Sequence, residues 1–462
     1  MSINRESSSF YKRGNIQKTY SSFGFVESED LLSDNSHETI HLNKSICDEV
    51  FDVKDYYGFP WYRAVFIIAN GAIGAGLLNF PEAFKKCGSI VQALLLQGIL
   101  AVFIYGAFPI LAFCCNIGKT NTYETTVLVF CGSYVQTIVQ LLVPITTFGA
   151  NVTYLIVIGD QLTKVLDFPG LFTNRTFIII AVAIICILPL CIPKRLRIIS
   201  YTSLFGGSGA LLIALVIVQR YSVGKYTFKS AQTPQKWTDS LEAIPVFCFA
   251  FQCHLPSIAV FSELRRPTVV RCSFVTLLAM ILCFVIYSLA GAFGYLTFGQ
   301  NVDSDILVNY DSDDKLVTVA RVVIVVVLLT TFSISHFVGR SAVIGLWVKV
   351  RRLRSVDIEK RRERRRIIAC LLWFALAIAL ALVIPSIREG IAFVGSINAH
   401  FIFTFPGLCL VHVVINYKTS ISSSKMKSFA VLLIGIFYVV LGVVVFSQSM
   451  CIAIQNHVNL QK

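Results

Sequence analysis

Charge is what this chain has least of. Only 14% of its 462 residues are Asp, Glu, Lys or Arg, against about 25% in an ordinary soluble domain. The few charges are gathered into short stretches, which excludes a soluble globular surface. Zinc-type spacings such as HExxH and CxxC are absent, so no metal-ligand cluster and no resident cofactor are expected. No pairing of Asp residues or of Ser with His converges at one place, which argues against an intramembrane enzyme. The fourteen cysteines do not form a disulfide framework: Cys186, Cys248, Cys283 and Cys409 lie inside apolar runs, where a thiol packs as a small hydrophobe. Residues 1–55 have no apolar core of a cleavable signal; polar, Ser-rich and mixed in charge, they read as a disordered cytosolic tail. The net charge of +14 does not point to nucleic acid. Ten Lys and Arg fall between Lys349 and Arg366, a connection between two apolar runs, and the positive-inside rule accounts for them.

What the chain does have is hydrophobic length: 55% of its residues are apolar and the mean hydropathy is +0.72. A spanning helix needs about 20 predominantly apolar residues. Runs of that kind are expected near 62–84, 90–115, 135–164, 176–193, 198–219, 241–262, 272–298, 317–347, 367–387, 391–415 and 427–454. The spacing therefore predicts an all-α polytopic membrane protein of about eleven spans. Lys194, Arg195 and Arg197, then Arg265, Arg266 and Arg271, then the 349–366 cluster all follow even-numbered spans. That bias places the N-terminus in the cytosol. Asn174, in Asn174-Arg175-Thr176, then faces the exterior as a candidate glycan acceptor. In the tail, Glu27-Ser28-Glu29-Asp30-Leu31-Leu32 reads either as an acidic dileucine signal for a sorting adaptor, resting on Glu27, Leu31 and Leu32, or as chance.

Eleven spans divide as five, five and one. Residues 56–220 form the first half, 221–240 an exterior or lumenal loop, 241–415 the second half, and 416–462 the last span with a short exterior end. An odd number of spans per half makes the halves an inverted repeat, and such repeats carry interrupted first helices. Both first helices hold breakers. The first span reads Asn70-Gly71-Ala72-Ile73-Gly74-Ala75-Gly76-Leu77-Leu78-Asn79-Phe80-Pro81; the sixth reads Phe249-Ala250-Phe251-Gln252-Cys253-His254-Leu255-Pro256. Each Gly costs a helix about 1 kcal/mol and each Pro about 3 kcal/mol relative to Ala. An unwound turn leaves peptide groups unpaired in lipid. A half-helix N-terminus suits a carboxylate, and the carbonyls opposite suit an ammonium or a small cation. An amino acid zwitterion carries both charges. The candidate substrate contacts are Gly74, Ala75, Gly76, Leu77, Phe249, Phe251, Gln252 and His254. Close helix packing is the alternative use of such glycines.

Thr330, Thr331, Ser333 and Ser335 form a hydroxyl run in the eighth span. With first-span carbonyls such as that of Ile73 they can complete an oxygen shell around sodium, or they bond their own preceding carbonyls. His254 and His336 are candidate proton-linked groups, and His400 also lies in a span; a neutral packing role is the alternative for each.

At these residues the chain resembles the amino acid/auxin permease superfamily, and within it the sodium-coupled neutral amino acid transporters of solute carrier family 38. The likeness runs from about Trp61 to Leu410. It includes Asn70–Pro81, Thr147-Phe148-Gly149-Ala150-Asn151, Phe249–His254, Gly294-Tyr295-Leu296-Thr297-Phe298-Gly299 and Phe405-Pro406-Gly407-Leu408-Cys409-Leu410. The Gly-Leu-Leu-Asn-Phe-Pro and Phe-Gln-Cys-His wording is most like that of the branch of members seven and eight. The resemblance implies a LeuT-like fold of 5+5 inverted repeat plus one, working by alternating access. It implies sodium at Asn70 and Thr331, a neutral amino acid such as glutamine or asparagine as substrate, and a lysosomal, endosomal or plasma membrane. The chain departs from many members in having no proline just after the eighth-span hydroxyl, which leaves proton coupling open. A membrane amino acid sensor with little flux is the remaining reading.

Overall fold

In a computed structural model of the full chain, residues 60–460 are described, apart from 167–173, 193–196, 227–236, 352–361, 385–386 and 417–424. The tail and its Glu27, Leu31 and Leu32 lie outside the described residues. The described residues are mostly helical. In chain order the helices are α1 (Trp61–Ala72), α2 (Gly76–Lys86), α3 (Ile90–Gly118), α4 (Tyr123–Val165), α5 (Arg175–Cys191) and α6 (Arg197–Val223). There follow α7 (Ile244–Ala250), α8 (His254–Ser262), α9 (Val269–Phe298), α10 (Lys315–Arg351), α11 (Arg362–Val383), α12 (Ile387–Ala399), α13 (Phe405–Asn416) and α14 (Lys425–Leu460).

Among the described residues nine helical segments are long and apolar enough to cross a membrane, and a tenth is added if the bent pair α1–α2 is one span. The difference from the eleven expected is α5. It has a π-helical stretch at Ala183–Ile187, whose wider coil advances less per residue, and it stays shorter than the roughly 20 residues a bilayer asks for. The third expected span is longer than its apolar run because the short helix before Gly132 joins it at an elbow. The tenth is divided by a π turn at His400–Thr404, between α12 and α13.

Burial sorts the helices into inner and outer. The segment holding α7 and α8 and the segment holding α12 and α13 are each 78% buried over their most apolar window, whereas α14 is 22% buried and lies at the periphery. Helices such as α3 and α9 are apolar all round, as expected when one side meets protein and the other lipid. Local signals set the helix starts: Ser89 caps α3 by accepting from the Gln92 amide, and Thr122 with Thr125 forms a capping box for α4. Helix α10, at 37 residues, is long and apolar enough to cross a membrane. The acidic 302–314 loop lies at its start and Lys349 and Arg351 lie in its last turn, so the two charge groups mark opposite ends of this helix. Arg321, fully buried in α10, holds the acidic loop by donating to the carbonyls of Leu307, Tyr310 and Asp311.

Candidate functional site

Both expected breaks are present. Helix α1 ends at Ala72, Ile73 is extended (φ −74°, ψ 118°), and α2 leaves at 62° to α1. The Ile73 amide still reaches the Ala69 carbonyl at 2.8 Å, but Gly74, Ala75 and Gly76 donate no backbone hydrogen bond among the described residues. Regular coil resumes with the amides of Leu77 and Leu78, bonded to the Gly74 and Ala75 carbonyls. In the second half, α7 ends at Ala250, Phe251–Cys253 leave the helical path, and α8 begins at His254.

The two breaks cross. A methyl group at Gly76 would stand 3.0 Å from the Ala250 Cβ and 3.2 Å from a ring carbon of Phe249, and one at Gly71 would stand 3.3 Å from Pro256. Glycine is needed at Gly76 because the neighbouring backbone approaches this closely. One side chain spans both breaks: the Tyr287 hydroxyl of α9 lies 3.0 Å from the Ala72 carbonyl and 3.0 Å from that of Ala250. Tyr287 is fully buried, stacked on Phe80 at 4.4 Å and edge-on to Phe251 at 5.1 Å. The chain thus shares one hydroxyl proton between a carbonyl at each break and leaves the Gly74–Gly76 amides without a backbone partner among the described residues.

The Asn70 side chain is buried on α1, and its Oδ1 has no hydrogen-bond partner among the described residues. It points at Gly206 of α6, where any β-carbon would overlap the carboxamide. Thr330 and Thr331 of α10 donate to the Val327 carbonyl at 2.8 and 2.9 Å. That is the back-bonded state, and it leaves the hydroxyl lone pairs free to accept a cation. Helix α6 packs against both α1 and α10. Gln252 has a buried Nε2 at the second break without a hydrogen-bond partner among the described residues.

The histidines fall elsewhere. His254 turns away from the break: its Nε2 meets the Ile104 carbonyl at 3.2 Å and its ring stacks on Phe108 at 4.0 Å, so α3 occupies the ring as a packing partner. His336 is buried between Phe332 and Trp373, one turn from Arg340, without a hydrogen-bond partner among the described residues. His400 Nδ1 meets the Thr404 hydroxyl at 3.0 Å. Asn174 is exposed but caps α5, its Oδ1 accepting from the Thr176 amide, so the sequon threonine is held in a helical turn.

Toward the face of the acidic loop, α2 is bolted down. Glu82, six residues beyond Gly76, pairs with Arg388 of α12 at 2.6 Å and accepts from Asn79, which also donates to the Ser304 carbonyl. Lys86 adds a bridge to Glu242 at 3.4 Å. Arg388 also lines a cavity of about 680 Å³ with Asp160, Arg175, Asp303, Asp305 and Glu389. Asp160 is paired with Arg175 at 2.6 Å.

Burial, reinforced by Asp160 and Asp303, pushes the Asp305 carboxyl up to about 7, although the Gln161 amide bonds it at 2.6 Å. The folded protein keeps this proton to about pH 7, whereas an unfolded chain releases it near 3.9. Stability therefore falls as pH rises between those values, and the cost is complete above them. Asp305→Asn is expected to raise the melting temperature by roughly 2–4 °C at pH 8 and to leave it unchanged at about pH 3, below both values. Equal shifts at both pH values would contradict this assignment.

A family profile described as transmembrane amino acid transporter protein matches residues 58–452. Human sodium-coupled neutral amino acid transporter 7 is 35% identical over 407 residues, covering 85% of this chain and 87% of the relative. Human solute carrier family 38 member 8 is 32% identical over 367 residues, covering 75% and 84%. The chain belongs to this family, on its solute carrier 38 branch. As a transmembrane amino acid transporter it is no enzyme: its work is moving amino acids across a membrane. Its fold is LeuT-like. MhsT, solved in complex with L-phenylalanine, superposes with a TM-score of 0.53 at 15% identity, over 84% of this chain and 98% of that one. A manganese transporter of Eremococcus coleocola gives 0.50 at 12% identity, over 86% and 91%.

Three residues beside the breaks and Asn70 escaped the sequence reading. Tyr154 of α4 brings its hydroxyl to 3.2 Å from where a Gly74 β-carbon would stand, and it makes no hydrogen bond among the described residues. Its signal was present as the one phenol in the apolar run Val152–Ile158. Tyr287 and Gly206 had no such signal, because each matters only through a partner far away in sequence.

Proposed function

We propose that this transporter couples the movement of a neutral L-amino acid of the glutamine and asparagine kind to sodium, by alternating access. The observation that carries the reading is the crossing of two breaks with unbonded amides at Gly74–Gly76 and an unpaired Asn70 oxygen beside them. The substrate carboxylate lies at the start of α2, where those amides and the helix dipole favour an anion. Tyr154 donates to the same group, while Phe249, Phe251 and Gln252 receive the side chain. Sodium sits between Asn70, the Ile73 carbonyl and the Thr331 hydroxyl, with Thr330 beside it. Occupancy of both sites favours one arrangement of the two gates over the other, which requires that they bind the two states unequally. The Glu82–Arg388 and Lys86–Glu242 bridges close the acidic-loop face in the state described above. The N-terminus is cytosolic, and the membrane is lysosomal, endosomal or plasma. A sorting adaptor at the tail is part of the same proposal.

Proton coupling by the same fold is the second reading. It is favoured by Glu263, after α8, whose carboxyl is raised to about 7 by burial and whose Oε1 has no hydrogen-bond partner among the described residues. Uptake of labelled glutamine by purified protein in liposomes separates these. A sodium gradient is expected to drive accumulation at symmetric pH. Accumulation driven by a pH gradient without sodium would transfer the coupling to protons, and no flux under any cation gradient would overturn transport of this substrate.

A further inference from the structure

Helix α4 is not one rod. Gly132 has φ 80° and ψ 175°, a conformation that glycine tolerates and other residues do not, and it separates a short helix, Tyr123–Cys131, from the long span behind it. The two arms of this elbow are held by different parts of the protein. On the short arm, the Tyr123 hydroxyl donates to the Phe401 carbonyl at 2.8 Å, in the π turn that leads into α13. On the long arm, the Lys349 ammonium at the end of α10 donates to Ser133, Gln136 and Thr137. Lys349 opens the basic stretch, so the elbow lies on that face of the molecule.

Two thiols meet at the hinge. The Cys131 sulfur, on the residue before Gly132, is 3.7 Å from the Cys409 sulfur of α13. Cys409 is fully buried, whereas Cys131 is half-buried beside the exposed Gly132 and Tyr134. One accessible thiol with a buried second thiol in contact is the arrangement of a reversible oxidation site. Of the two other nearby thiols, Cys114 is buried on α3 and Cys115 is engaged with the Thr126 hydroxyl at 3.3 Å.

We propose that Cys131 and Cys409 form a dithiol switch that a peroxide closes, clamping the Gly132 elbow to α13. Cys131, as thiolate, attacks one peroxide oxygen; the O–O bond breaks, hydroxide leaves and is protonated to water, and Cys131 becomes a sulfenic acid. The Cys409 sulfur then attacks the Cys131 sulfur, the S–O bond breaks, and a second water leaves with the Cys409 proton. Two thiols are oxidised by two electrons, one peroxide is reduced to two waters, and one S–S bond forms. The sulfurs must approach from 3.7 Å to about 2.05 Å. With the basic face in the cytosol, the pair rests reduced in the thiol-buffered compartment and closes only under oxidant. The clamp joins a helix of the first repeat to one of the second, so elements that shift between access states can no longer do so independently.

The transport effect rests on the function proposed above, but the bond itself does not. Full-length protein in liposomes is treated with hydrogen peroxide, quenched with N-ethylmaleimide, digested and read by peptide mass spectrometry. A Cys131–Cys409 crosslink is expected, removable by dithiothreitol. Glutamine uptake is expected to fall with the crosslinked fraction, roughly tenfold at nine-tenths conversion, and to recover on reduction. Cys409→Ser abolishes both the crosslink and the inhibition, and Cys115→Ser abolishes neither. Pairing of Cys131 with Cys114 or Cys115, or its passage to sulfinic acid with Cys409 still alkylatable, would overturn the switch. A formed crosslink with undiminished uptake would overturn the clamp.

Discussion

Replacing Gly206 by alanine is expected to lower sodium-driven glutamine uptake about a hundredfold, the loss associated with displacing a binding group by about 1 Å. The reason is local and steric. Among the glycines of α6, Gly206 is the one against which the Asn70 carboxamide rests, and a methyl group there occupies the volume of that carboxamide. Asn70 cannot retreat along α1, because two residues later the chain unwinds and its Ala72 carbonyl is fixed by Tyr287. The substitution does not harm α6 itself, since alanine favours helix over glycine by about 1 kcal/mol. The neighbouring glycine supplies the control. A methyl group at Gly207 meets only a ring carbon of Phe66 at 3.7 Å, an ordinary contact. Gly207→Ala is therefore expected to transport normally. Initial rates for both variants, with melting temperatures to confirm folding, decide the matter. Equal rates would remove Asn70 from the ion site.

Much of this arrangement was legible in the residues. Hydrophobic run length located the spans, because lipid imposes it on the chain. Gly74, Gly76 and the Phe-Gln-Cys-His stretch located the breaks, because a helix core does not tolerate such residues without a use for the freed peptide groups. What the residues did not disclose is orientation around a helix axis. His254 sits in the right segment, yet its ring faces Ile104 and Phe108; a one-dimensional pattern cannot tell a ring that enters a site from one turned onto the neighbouring helix. The long reach of α4 beyond its apolar run was hidden for a related reason. The Gly132 elbow reads as a loop in composition, and only the opposing anchors at Phe401 and Lys349 make it a fixed bend. Pairings such as Asn70 with Gly206, or Tyr287 with two carbonyls, are long-range and have no local signature at all.

The second large effect concerns amide exchange, and it bears on the central claim: that the two crossed breaks are held open for a zwitterion and its cation. Peptide groups inside a spanning helix exchange slowly because each is bonded within its own segment. The amides of Gly74, Ala75 and Gly76 have no such bond. Hydrogen–deuterium exchange on the purified protein, without ligand and then with glutamine and sodium together, reads them directly. Peptides covering residues 70–80 and 249–256 are expected to exchange fastest among the spanning segments without ligand, and to gain the largest protection when both ligands are added. If those peptides are already as slow as α9, or if glutamine and sodium protect other spans and leave these two unchanged, the account is contradicted.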